Sequence, residues 1–201
     1  MHPYIGHMDA YLAALRAHTD RLVRLSDEDW DLYASTMRPL RLKKKDYLLQ
    51  PGAVCQHVSF IGRGLFRSFY VKDGEEITQT FFFAGNYATD YESFVSRQPS
   101  AVYIQAMEDT EVIRCHYEDL QRIYATTKGG ERLGRLIAEN IFLALSLRNR
   151  HFLLDDPETR YLALMQERPK VIERIPLKYI ASYLGIQPES LSRIRARLAK
   201  A

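Results

Sequence analysis

Between Leu40 and His116 the chain never holds a helical period. It breaks into short runs rich in Val, Ile, Phe and Tyr, separated by Pro51-Gly52, Gly62, Gly64, Asp73-Gly74 and Gly85-Asn86. Parallel strands need crossovers of about a dozen residues or more, which these breaks cannot supply. Asp73-Gly74 is the sharpest break, because both residues tolerate positive φ and strand-like runs flank them. With further strands expected around Val102–Met107 and Glu111–His116, the pattern predicts an antiparallel barrel or jelly roll.

Helical signals bracket this region. From Met8 to Leu25, Leu12, Leu15, Leu22 and Leu25 fall on one helical stripe. Ser26 can cap the amides of Asp27–Asp29, opening a second helix that should end near Met37, before Pro39. Beyond the strands, Tyr117–Tyr124 predicts a short helix, and Gly129-Gly130 precedes a long one over Glu131–Phe152. Along the long helix Leu133, Ile137, Ile141, Ala144, Leu145 and Arg148 form a band that Leu136, Leu143 and Leu147 widen. One small barrel cannot cover that band, so the helix is either sandwiched between domains or paired with a second copy; a homodimer is the expectation. Asp155-Asp156-Pro157 then breaks the chain. The fold class expected is α+β, with a jelly-roll sensor over 1–128, a dimerisation helix over 129–154 and a helical domain over 155–201.

Charge divides along the same line. The net charge is +3, but residues from Pro157 onward carry nine Lys/Arg against four acids, leaving the first 156 residues mildly acidic. A basic tail on an acidic body suits a polyanionic partner, although a solvated basic face would look the same. No apolar run spans a bilayer and no export signal is recognisable, so Cys55 and Cys115 read as reduced core thiols of a cytoplasmic protein.

The tail itself is more specific. Ile180, Leu184, Ile186, Leu191 and Ile194 supply apolar positions, Ala181 a close approach and Gly185 a turn. That spacing specifies a helix-turn-helix. Pro188 suits the first turn of the second helix, with Glu189 at its positive end. Turning that helix by about 100° per residue puts Leu191, Ile194 and Leu198 on the packing side. Glu189, Ser192, Arg193, Ala196 and Lys200 fall opposite, with Ser190 and Arg197 at one flank. These are groups that read base edges and phosphates in a major groove; the competing reading is an ordinary solvated face with a Glu189–Arg193 pair.

Taken together, FIGRGLFRSFYVKDGEEITQTFFFAGN, the long helix and KYIASYLGIQPESLSRIRARL resemble the Crp/Fnr family of bacterial transcription regulators. The resemblance implies a cyclic-nucleotide-binding-like jelly roll, a dimer helix and a recognition helix that begins at Gln187 and Pro188. It assigns Glu189 the family's acid and Arg193 its base-reading arginine. It implies duplex DNA, a second copy of the chain and RNA polymerase as partners, with a small-molecule effector and no membrane. In relatives that bind cyclic AMP a Gly-Glu pair precedes an Arg-Ser or Arg-Ala pair that holds the phosphate. Here the candidate pocket residues are Tyr91, Glu92, Arg97, Ser100 and Ala101, with Tyr87, Phe94 and Tyr103 crowding it. Glu92 lacks its glycine, Ser100-Ala101 stands where Arg-Ser would, and Arg97 comes three positions early. Cyclic AMP is therefore not the expected ligand. Many relatives also carry a β-hairpin wing after the recognition helix, whereas this sequence stops at Ala201; either the wing is dispensable or the chain is shortened.

No catalytic residue, cofactor or metal site is expected. Two cysteines fall short of the four an iron–sulfur cluster needs. Cys55 with His57, and Cys115 with His116, read as core or surface residues rather than ligands. The alternative function is a small-molecule-binding or metal-dependent jelly-roll enzyme whose basic helical tail merely packs.

Overall fold

The computed structural model describes residues 5–200 and the side chains from residue 7 onward. The element order is α1 Ile5–Asp20, α2 Asp27–Ser35, β1 Arg38–Leu42, β2 Tyr47–Leu49, β3 His57–Arg63, β4 Leu65–Lys72, β5 Glu75–Phe83, β6 Tyr87–Ala88, α3 Tyr91–Ser96, β7 Tyr103–Ala106 and β8 Thr110–His116. Then follow α4 Tyr117–Thr126, α5 Gly130–Leu154, α6 Pro157–Glu167, α7 Pro169–Arg174, α8 Leu177–Leu184 and α9 Pro188–Leu198. The strands form two four-stranded sheets, ordered β1-β8-β3-β6 and β2-β7-β4-β5. The pairings described between them are antiparallel, as the turn spacing requires. Pro39 lies within β1, where an edge strand leaves its missing N–H harmless. Asp73 and Gly74 adopt φ 53° and 81°, the left-handed pair that a two-residue hairpin demands.

The chain divides into two compact units. The first runs to Ser68 and resumes over Phe81–Asn140. Its core lies where one face of β3 and β8 meets the helices: Phe60, Ile113 and Cys115 pack with Leu15, Trp30, Tyr33, Leu120, Ile123 and Leu133. Ser26 accepts a hydrogen bond from Asp29 N at 3.1 Å, so α2 begins where the sequence marks it. The first helix is shorter than its leucine stripe suggests. It ends at Asp20, because Thr19 O accepts from both Leu22 N and Val23 N and closes the final turn. Leu22 and Leu25 therefore lie beyond the helix, yet Leu25 is still buried in the same core.

The second unit joins Phe69–Thr80, the far part of the β4–β5 hairpin, to Ile141–Ala201. Its helices bury Tyr161, Leu164, Val171, Ile180, Ala181, Leu184, Leu191 and Ile194. That is a small core, and the hairpin supplements it. β5 ends its sheet and would otherwise present unpaired backbone groups along its edge. Ser182 of α8 meets them: its hydroxyl accepts from Thr78 N at 2.9 Å and donates to Glu76 O at 2.9 Å. Arg148 of α5 donates to Gln79 O and stacks on Tyr183 with its guanidinium carbon 4.6 Å from the ring centre. Among the described residues no helix is long and apolar enough to cross a membrane.

Candidate functional site

Gly185 sets the geometry of the helical hairpin. It caps α8 at φ 70°, and a Cβ there would lie 2.9 Å from Phe152 Cε1, so the turn needs glycine for conformation and for space. Ile186 N reaches back to Ala181 O at 3.0 Å, closing the turn over a fully buried alanine. Gln187 is extended, and its carbonyl accepts the first bonds of α9 from Ser190 N and Leu191 N. Pro188 stands in the first turn, where its absent N–H costs nothing.

Leu191 and Ile194 face inward at 0% and 7% exposure. Gln187, Pro188, Glu189, Ser192, Arg193, Arg197 and Lys200 are exposed, and Ser190 is half-buried at the flank. Their present partners differ. Arg193 donates to Ser190 Oγ at 3.2 Å, a single exposed contact that holds the guanidinium along the outer face. Ser192 donates to Pro188 O at 3.0 Å. Arg197 instead pairs with Glu158 of α6, a partner far away in sequence and invisible to helical periodicity.

The cassette between β6 and β7 is arranged differently. Asp90 caps α3, and Arg97 ends it in the left-handed region at φ 60°. The Arg97 side chain folds back on the backbone, donating to Cys55 O at 3.0 Å and Phe94 O at 3.2 Å and also to Gln56 Oε1. Its guanidinium carbon lies over the Tyr117 ring, 4.0 Å from the ring centre. Ser100 is 5% exposed, and its hydroxyl accepts from Val102 N at 3.0 Å. Tyr91 is half-buried, Glu92 and Ala101 are exposed, and burial pushes the Tyr91 phenol upward. The crowding aromatics separate into groups: Tyr87 with Tyr33 and Phe60, Tyr91 with Phe94, and Tyr103 with Tyr47.

A model of the cyclic nucleotide-binding domain covers these strands and the cassette. Residues 39–127 match that domain. The solved structures extend the likeness over most of the chain. CLP, described as a c-di-GMP-responsive global regulator of Xanthomonas campestris, aligns with TM-score 0.67 and 15% identity over 87% of this chain and 92% of its own. FixK2 of Bradyrhizobium japonicum aligns with TM-score 0.69 and 17% identity over 82% and 85%. A putative regulator of the Crp/Fnr family from Eubacterium rectale gives TM-score 0.67 and 17% identity over 88% and 85%. The chain thus has the fold of Crp/Fnr regulators, cyclic-nucleotide-type domain included. No curated protein matches it by sequence.

Two arrangements escaped the sequence. Cys55 and His57, and Cys115 and His116, are close in sequence, yet strand register pairs His57 with His116, their ring centres 5.1 Å apart. Cys55 and Cys115 are both buried in the helix-facing core. Likewise the exposed apolar stretch of α5 includes Phe142, at 69% exposure, which lies outside the expected band. Among the described residues no three His, Cys, Asp or Glu side chains gather to hold a metal.

Proposed function

We propose that this chain is a homodimeric, sequence-specific DNA-binding transcription regulator of the Crp/Fnr type whose effector is not cyclic AMP. The observation that carries the reading is α9: a two-sided helix seated on a glycine turn, with Leu191 and Ile194 inward and Glu189, Ser192 and Arg193 outward. Such a helix can place Arg193 on a guanine edge and Glu189 against a cytosine or against the arginine itself. Gln187, Pro188 and Ser190 would border the groove at the helix start. Lys200 and Arg197 would meet phosphates, Arg197 by exchanging Glu158 for a backbone oxygen. The +5 charge of the tail favours the same partner.

Dimerisation is supported by α5, where Phe142, Leu143 and Leu145 are 69%, 63% and 55% exposed in the single chain. An apolar helical face of this kind suits a second copy of itself. In this reading residues 1–128 sense, 129–154 pair the subunits and 155–201 bind DNA, in the cytoplasm and with RNA polymerase as the further partner. Against a cyclic phosphate stands the cassette, whose Arg97 and Ser100 already bond to the chain. Replacing Ile141 or Ala144 with Asp should yield monomers in sedimentation velocity and remove binding to a two-fold operator. A wild-type protein that is monomeric at micromolar concentration contradicts the dimer; duplex binding no tighter for operator than for scrambled DNA contradicts the regulator.

A further inference from the structure

The face of β3 and β8 opposite the helices carries polar groups that neither the cassette nor the recognition helix uses. Register places His57 across from His116, Ser59 across from Arg114 and Ile61 across from Val112. Phe60, Ile113 and Cys115 belong to the helix-facing core, so strand alternation turns the other set inward between the sheets. Ile61 and Val112 are 0% and 1% exposed there. One row further on, Ser59 is 1% exposed and its hydroxyl has no hydrogen-bond partner. Beside it the Arg114 Nε is enclosed and also unpartnered.

Arg114 is half-buried and stays charged, and leaving its enclosed Nε–H without an acceptor carries a cost. The neighbours on that face are Arg38 and Leu40 of β1, Ala88 of β6, His57 and Val112. None is a carboxylate, and Arg38 is engaged with Ser35 O at 2.7 Å and Met37 O at 3.1 Å. Burial, with Arg114 and His116 close by, pushes the His57 imidazole down to about 4, so it is neutral at physiological pH. His116 Nδ1 accepts from Glu118 N at 3.3 Å, which leaves its proton on Nε2 and available to donate.

We infer that Arg114 and Ser59, flanked by His57 and His116, form a binding site for the oxyanion group of a small effector, inside the roll and separate from the cassette. The fork of Arg114 would take two oxygens and the Ser59 hydroxyl would donate to one of them. Phosphate and carboxylate share this chemistry. The inference concerns the roll alone and stands or falls independently of DNA binding.

The test is a histidine-ring NMR titration of the full chain with inorganic phosphate, and separately with acetate, against potassium chloride at matched ionic strength. A saturable shift of the His57 and His116 resonances is expected with one of the two anions, and which one identifies the group recognised. Arg114→Gln should weaken that response at least about tenfold, as loss of a charge-assisted bond implies. Ser59→Ala, a smaller change that preserves folding, should weaken it less, and Lys44→Gln on the exposed β1–β2 turn should leave it intact. Shifts no different from chloride, or an equal response in Ser59→Ala and wild type, overturn the site.

Discussion

The cassette and α9 both hold an arginine and a serine picked out by sequence, and they use them in opposite ways. In the cassette, Arg97 donates to two backbone carbonyls and Ser100 receives a backbone amide. On α9, Arg193 meets only a flanking serine hydroxyl and stays exposed. A side chain bound to its own backbone holds a loop in shape, and a ligand must break those bonds to recruit it. A side chain on an exposed face can exchange a weak local contact for a ligand at little cost. The same residue types thus form a scaffold in one place and a candidate reading surface in the other.

The largest effect should come from breaking the turn that presents α9. Gly185→Val forces a β-branched residue into the left-handed region and against Phe152, at a cost of about 3 kcal/mol. Hydrogen exchange should then rise in α8 and α9 while Phe60 and Ile113 in the other unit keep their protection. Equal loosening of both units would mean that the helical hairpin does not fold as a separate element.

Next comes the cassette. Arg97→Ala should lower stability by about 1–2 kcal/mol, because two carbonyls lose their donor. Calorimetry with cyclic AMP should show no heat in either wild type or variant. Binding by wild type that is abolished in the variant would show Arg97 to be a ligand group after all.

A smaller effect sharpens the contrast through pH. The His57 imidazole is pushed from 6.5 to about 4, first by burial and then by Arg114 and His116. Between those values the unfolded chain binds a proton that the folded chain refuses. Stability should therefore fall as pH drops from about 6.5 toward 4 and stay flat above, by about 1 kcal/mol after allowing for solvent screening. His18, lowered by its own burial, acts in the same direction. Comparing His57→Gln with wild type isolates the His57 share, and an unchanged slope in denaturant midpoints would remove it.

Local chemistry explains what the sequence made legible. Asp73-Gly74, the Ser26 cap and the Ala181–Gly185 turn each act within a few residues, so their spacing is their structure. The end of α1 was misplaced because Leu25 is buried without being helical, and periodicity cannot separate the two. The ties of Arg97 to Cys55, Arg197 to Glu158, and Ser182 to β5 join positions roughly forty to a hundred residues apart. Facing of Ser59 with Arg114 depends on strand register, which is set by the whole sheet. Such pairings leave no local trace.

The central claim is that Arg193 reads bases whereas Arg197, already paired with Glu158, contributes mainly charge. It is tested most directly by binding Arg193→Ala and Arg197→Ala to operator and scrambled duplexes at several salt concentrations. Arg193→Ala should lose about 1–3 kcal/mol on the operator and flatten the preference between duplexes. Arg197→Ala should weaken both duplexes alike and reduce the salt slope by at most about one unit. Equal weakening of operator and scrambled DNA by Arg193→Ala would contradict the account.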